Sequence, residues 1–141
     1  MAIQTPERTS TTLASRFPGK YLSVTSYKRD GSGVATPLWF VIEGERLLAL
    51  TDPASFKARR IRRNPVVEVV PCSASGSPRG EPVTGLATFL DDEEIPRVEA
   101  LMARKYRVDR ILILPVYRLV QRLRGKRSSG AETVLAITPD V

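Results

Sequence analysis

Ser55 opens a stretch in which Lys57, Arg59, Arg60, Arg62 and Arg63 follow in close succession. On a helix, that arrangement suits an anion. A helix start leaves backbone N–H groups unpaired and carries the positive end of the helix dipole, and Ser55 is a residue type that caps such a start, so phosphate is the favoured ligand. A second segment, Thr36-Pro37-Leu38-Trp39-Phe40, offers different chemistry. Pro37 has no N–H to give to a sheet ladder, which implies an edge, a bulge, or a place where something other than a strand pairs. Exposed backbone from Thr36 to Trp39 would suit the edge of a pyrimidine-like ring while side chains cover its face. The plain alternatives are a solvated basic face for the helix, and core or subunit-contact aromatics for Trp39 and Phe40.

At about 100° per residue, Ala54, Ala58 and Ile61 share the helix face that packs on the protein. Lys57 lies on one margin of that face and Arg62 on the other; Arg60 is farther round, and Arg59 and Arg63 point to solvent. Ser55 and Lys57, nearest the helix start, are therefore the expected phosphate contacts, with Arg60 or Arg62 assisting.

The 141 residues carry a formal charge of +7, with one cysteine and no histidine. The charge implies an anionic partner: nucleic acid, an acidic membrane surface, or a phosphorylated or carboxylated small molecule. Without an imidazole, Ser-His-Asp and Cys-His catalysis and most zinc sites are excluded, and no metal site is expected. Cys72 alone forms no internal disulfide, and the polar segment Met1 to Arg16 does not read as a signal peptide, so a cytoplasmic protein is expected. The apolar stretch Ile111 to Val120 is interrupted by Pro115 and Arg118 and falls short of the ~20 residues that span a bilayer.

The elements that must position these groups follow from pattern and punctuation. One domain over residues 1–141 is expected, with a polar N-terminal segment over 1–18. Strands are predicted at Tyr21 to Tyr27, Val34 to Glu43, Arg46 to Thr51, Val66 to Pro71, Val83 to Leu90 and Thr133 to Thr138. Gly85 marks a bulge or a close backbone approach in the fifth of these. The basic helix, Ser55 to Asn64, ends where Asn64 meets Pro65. A second helix starts after Asp91-Asp92-Glu93-Glu94 and ends at Arg104, Lys105 and Arg107, with acids and bases at the ends that complement its dipole. A third is predicted over about Leu112 to Arg124, followed by a basic loop from Lys126 to Gly130. Strands dominate, so a mostly β fold with inserted helices, an antiparallel barrel or sandwich, is favoured over a doubly wound sheet.

Taken in order, the strand with Pro37-Leu38-Trp39-Phe40, the hairpin, the strand ending at Thr51, and Ser55-Phe56-Lys57 opening a basic helix that ends in Asn64-Pro65 resemble the split-barrel flavin and deazaflavin oxidoreductase superfamily. Pyridoxamine 5'-phosphate oxidase gives that superfamily its name. The resemblance runs from about Lys20 to the last strand and is closest to the actinobacterial branch that binds the deazaflavin coenzyme F420.

That resemblance implies an FMN-binding-like split β-barrel of about six antiparallel strands, dimeric, with each site at the subunit interface. It implies that Thr36, Pro37, Leu38 and Trp39 lie along the cofactor ring, and that Thr51, Ser55 and Lys57, with Arg60 and Arg62, hold its phosphate. Flavin-mononucleotide oxidases of the superfamily carry an arginine two residues before the Pro37 position, where this chain has Ala35. Deazaflavin also carries an oligoglutamate tail, for which Arg79, Arg104, Lys105 and the cluster Arg118, Arg122, Arg124, Lys126 and Arg127 are candidates.

The implied activity is hydride transfer from reduced F420 to an electron-poor small molecule. Water, Tyr27, Tyr106 or Lys105 would supply the proton, and no catalytic residue is singled out. The alternatives on the same fold are an FMN- or haem-binding protein, or one that stores a cofactor. The alternative from another class is nucleic-acid binding through Lys57 to Arg63 and Arg118 to Arg127. A short helix bounded by Pro53 and Pro65, without interleaved aromatics, argues against it, and no nucleic acid is expected.

Overall fold

A computed structural model describes residues 13–106 and 132–140. The strands are β1 (Tyr21–Tyr27), β2 (Gly33–Trp39), β3 (Val41–Glu43), β4 (Arg46–Thr51), β5 (Val66–Cys72), β6 (Val83–Leu90) and β7 (Thr133–Pro139). Helix α1 (Phe56–Arg63) joins β4 to β5, and helix α2 (Ile95–Lys105) follows a 3-10 turn at Asp92–Glu94. The helix predicted over Leu112 to Arg124 and the basic loop after it lie outside the described residues.

All seven strands form one sheet in the order β2-β1-β5-β6-β7-β4-β3, with every pairing antiparallel. The two ends of that order, β2 and β3, are neighbours in the chain with Phe40 between them. One bent segment therefore borders both ends of the sheet and curls it into a barrel.

Burial follows from this closure. Leu22 and Val24 of β1, Leu47 and Ala49 of β4, Val67 and Val69 of β5, and Leu135 and Ile137 of β7 alternate inward and share a core with Phe40 and Ile61. On the outside, α2 lays Val98, Met102 and Tyr106 over Leu48, Val134 and Ala136. Strands β4 and β7 are thus covered on both faces, which is why Leu47-Leu48-Ala49 and Val134-Leu135-Ala136-Ile137 read as unbroken apolar runs. In β6, by contrast, Thr84, Leu86 and Thr88 face outward and alternate with buried residues.

Seven strands stand where six were expected, because the predicted strand Val34 to Glu43 divides at Phe40. The Phe40 N–H donates to the Tyr106 hydroxyl at 2.9 Å instead of to a strand. Its carbonyl lies 2.8 Å from that hydroxyl and 2.8 Å from Lys105 Nζ. The Tyr106 hydroxyl also reaches Lys20 O at 2.7 Å, so its single proton is placed between two carbonyls. Both polar groups of the Phe40 peptide are satisfied by the end of α2, which permits the chain to leave one ladder and enter another. Gly85 is a close approach, since a Cβ there would stand 3.0 Å from Thr138 O.

Tyr106→Phe keeps the ring but orphans the Phe40 N–H in the core. A loss of about 1–3 kcal/mol in urea unfolding is expected, the range for a buried donor left without its partner. A change within about 0.5 kcal/mol, the scatter of neutral surface substitutions, would show that the bend does not depend on this hydroxyl.

Candidate functional site

Helix α1 starts from a tight turn. Asp52 Oδ1 accepts from Ala54 N at 2.8 Å, Asp52 O accepts from Ser55 N at 3.1 Å, and Ser55 Oγ caps the helix by accepting from Ala58 N at 3.1 Å. At the other end Asn64 Oδ1 accepts from Val66 N at 3.1 Å, so the chain turns directly into β5. Ala58 and Ile61 are buried as expected. Ala54, expected on the same face, is exposed because it belongs to the turn before the helix, where the 100° rotation does not apply.

The five cations of α1 do not act as one group. Lys57 is half-buried, and its ammonium is pushed down to about 8 by burial and by the nearby Arg60 guanidinium, against the opposing pull of Asp52. Arg60 sends Nε to Ser26 Oγ at 2.8 Å and is thereby tied to β1. Arg62 lies on the other side, with its guanidinium 5.1 Å from the centre of the Phe89 ring in β6. Of the two expected helpers, Arg60 is beside Lys57 and Arg62 is turned away. Arg59 and Arg63 are exposed, yet Arg63 Nη2 donates to Tyr27 O at 2.8 Å, and both line a groove with Lys28, Arg29 and Arg60. Sequence spacing missed that groove because Lys28 and Arg29 reach it only through the fold of the β1–β2 hairpin.

Strand β2 is the other half of the candidate site. It pairs with β1, placing Thr36 opposite Val24, Pro37 opposite Ser23, Leu38 opposite Leu22 and Trp39 opposite Tyr21. Pro37 lies in a strand at one end of the sheet order, where a missing N–H costs least. Leu38 packs on the barrel core. Ala35 and Pro37 are exposed and share the opposite face with Trp39 by the two-residue period, forming a shelf of small residues. Trp39 closes its end, stacked on Tyr106 at 4.3 Å with 3° between the rings, so one indole face is already covered. Both β2 and α1 hang on β1, the strand by its ladder and the helix by the bonds to Ser26 and Tyr27. Thr51 exposes only 7% of its surface at the end of β4, opposite Thr133, and is among the least accessible of the expected contacts.

The proton-donor candidates separate as well. The Tyr106 hydroxyl is committed to the backbone of Phe40 and Lys20. Lys105 is exposed along its chain but folds its ammonium 3.6 Å above the Phe40 ring, and the loss of water there pushes its pKa down to about 8. Cys72 is buried with its thiol raised by burial, and it is the single cysteine of the chain. Among the described residues no cluster of side chains suits a metal ion, and no helix is long and apolar enough to cross a membrane.

Residues 19–140 match the sequence pattern of the family described as Pyridoxamine 5'-phosphate oxidase. The chain belongs to that family. Its barrel is the family's split barrel, and the fold recurs in solved structures of low sequence identity. An F420 reductase is 15% identical, with a TM-score of 0.59 over 99% of this chain and 97% of that one. The haem storage protein HutZ from Vibrio cholerae is 15% identical, with a TM-score of 0.58 over 98% and 92%. An FAD-binding protein from Mesorhizobium loti is 13% identical, with a TM-score of 0.59 over 98% and 90%. No curated protein matches the sequence.

The half-buried ammonium of Lys57 yields a pH prediction. Its folded pKa, about 8, lies below the ordinary 10.5, so between these values the unfolded chain binds the proton that the folded chain has released. Stability attributable to this group therefore rises as pH increases from 8 toward 10.5. Lys57→Met should flatten that rise in urea unfolding series, and the 13Cε resonance of Lys57 should titrate near 8. Titration at the ordinary value would remove the premise.

Proposed function

We propose that this member of the family is an F420-dependent reductase that passes hydride from the reduced deazaflavin to an electron-poor small molecule. The reading includes a cytoplasmic homodimer, of the actinobacterial branch, with its sites at the subunit interface. The single observation that carries it is the pairing of an uncommitted cation with a small-residue shelf. Lys57 is half-buried with no ion-pair partner among the described residues, and Ala35 and Pro37 leave one face of β2 exposed.

The residues present fit the phosphate end of such a cofactor. Lys57 supplies charge, and the Ser55 hydroxyl, which spends a lone pair on Ala58 N, keeps its proton to donate. Arg60 adds a guanidinium whose orientation is set by Ser26. Thr36 to Trp39 would flank the ring through backbone groups, with Leu38 fixed by the core and Trp39 by Tyr106. A bound reduced deazaflavin supplies the hydride itself. The protein's part is to hold the ring, exclude water and leave one ring face to the substrate. Ala35 supports deazaflavin over flavin mononucleotide, because no cation stands on that part of β2 to receive a second set of phosphate contacts.

Lys57→Ala should weaken deazaflavin binding about tenfold or more, the scale of one charged hydrogen bond of ~1.5–3 kcal/mol. In the wild type, affinity should decline as pH rises past about 8 and Lys57 loses its proton, the bound anion itself holding that proton to somewhat higher pH. Lys57→Arg should remove the decline. Titrations against flavin mononucleotide complete the test, and preference for that flavin, or unchanged binding in Lys57→Ala, would overturn the assignment.

A further inference from the structure

The β1–β2 hairpin and the outer face of α1 enclose a groove of about 470 Å³ lined by Lys28, Arg29, Asp30, Phe56, Arg59, Arg60 and Arg63. It is built rather than incidental. Arg60 and Arg63 bridge its two walls through Ser26 Oγ and Tyr27 O, each at 2.8 Å. The hairpin wall is fixed by Lys28 N donating to Ser32 O at 2.9 Å and by Gly31 in the left-handed region. Five cations thus face one carboxylate, and Asp30 is turned into its own hairpin, accepting from the N–H and the hydroxyl of Ser32 at 2.9 and 2.7 Å. Among the described residues none of the five cations forms an ion pair.

Phe56 gives the groove its second property. It is 72% exposed, unusual for an aromatic at the first position of a helix that has a packed inner face. The Arg59 guanidinium lies 5.8 Å from its ring centre, leaving the rest of the ring as an open shelf beside a field of positive charge. A ligand that satisfies both features has a flat ring and several negative charges. Lys57 does not line this groove, and the ring shelf of β2 is not part of it.

We propose that this groove is a second ligand site, sharing Arg60 alone with the Lys57 site, for a heteroaromatic ring carrying two or more negative charges, the chemistry of a nucleoside polyphosphate. Phe56 stacks on the ring, Arg59 with Lys28 and Arg29 takes the charges from opposite walls, and the remaining guanidinium N–H groups of Arg60 and Arg63 form the floor. The site does not depend on which cofactor the Lys57 site holds.

Calorimetric titration of the whole protein with ATP, tripolyphosphate and adenosine tests it. ATP should bind saturably, with affinity that falls as salt rises. Tripolyphosphate should bind about tenfold more weakly, within the range of one lost aromatic stack, and adenosine should not bind measurably. Phe56→Ala should bring ATP down to the level of tripolyphosphate, and the double variant Lys28→Ala, Arg59→Ala should weaken both about tenfold while leaving deazaflavin affinity unchanged. Lys57→Ala should leave ATP binding within about twofold. No saturable ATP binding overturns the proposal. So does loss of ATP binding in Lys57→Ala, which would merge the two sites. A Phe56→Ala variant that changes the oligomeric state without changing ATP affinity would assign the ring to a subunit contact. Binding of a short RNA that outcompetes ATP and ignores Phe56→Ala would assign the cations to a nucleic-acid surface.

Discussion

The barrel depends on what happens to one peptide. Between Trp39 and Val41 the chain must leave the ladder with β1 and enter the ladder with β4, and for that residue neither strand supplies its partners. Tyr106, at the end of α2, takes the Phe40 N–H and shares its carbonyl with Lys105, all at 2.8–2.9 Å. An unpaired peptide at a site as buried as Phe40 would cost a substantial part of a small domain's net stability. The same tyrosine ring stacks on Trp39, so the hydroxyl that closes the barrel also fixes the end of the candidate ring shelf. Helix α2 therefore serves the site although its contacts are with the scaffold.

Charge is distributed by the helix period. Consecutive residues of α1 rotate away from one another, so Arg60 turns toward β1 with Lys57 beside it, Arg62 turns toward Phe89, and Arg59 and Arg63 look out over the hairpin. What reads in one dimension as a basic run is in three dimensions a half-buried ammonium, a cation–π contact and a groove wall. Burial also assigns them different chemistry. Lys57 loses hydration and so holds its proton less tightly, whereas the Arg59 and Arg63 side chains stay exposed to water.

Much of the fold was legible because local signals agreed with the global pattern. Strand limits from Tyr21 to Tyr27, Arg46 to Thr51 and Val83 to Leu90 coincide with those observed, as do the Ser55 cap and the stop at Asn64-Pro65. The division at Phe40 was not legible. Its cause is a hydroxyl 66 residues away, and nothing in Thr36 to Glu43 announces it. Ala54 was misplaced for a related reason, since helical rotation was extended into a turn that Asp52 holds. For the site, types and spacing single out Lys57 and the Pro37 strand, but the relation between them passes through β1, and Ser26 carried no signal of its own. The groove was hidden more deeply, because its two walls are remote in sequence and meet only when Arg60 and Arg63 bond to the end of β1.

The residues that hold the barrel and those available to a ligand are largely different sets. Core positions of β1, β4, β5 and β7 alternate inward or lie beneath α2, where a change of even one methylene is felt. Ala35 and Pro37 on β2, and Phe56, Arg59 and Arg63 on α1, bury little and support no core neighbour. Substitution at such positions leaves the apolar pattern and the ladders untouched, so the same barrel can persist while its ligand chemistry changes. That separation accounts for a fold shared at 13–15% identity by proteins described as an F420 reductase, a haem storage protein and an FAD-binding protein. For the sites proposed in this chain, the exposed faces of β2 and α1 are joined by two residues, Ser26 and Tyr27, that hold the helix to the strand between them.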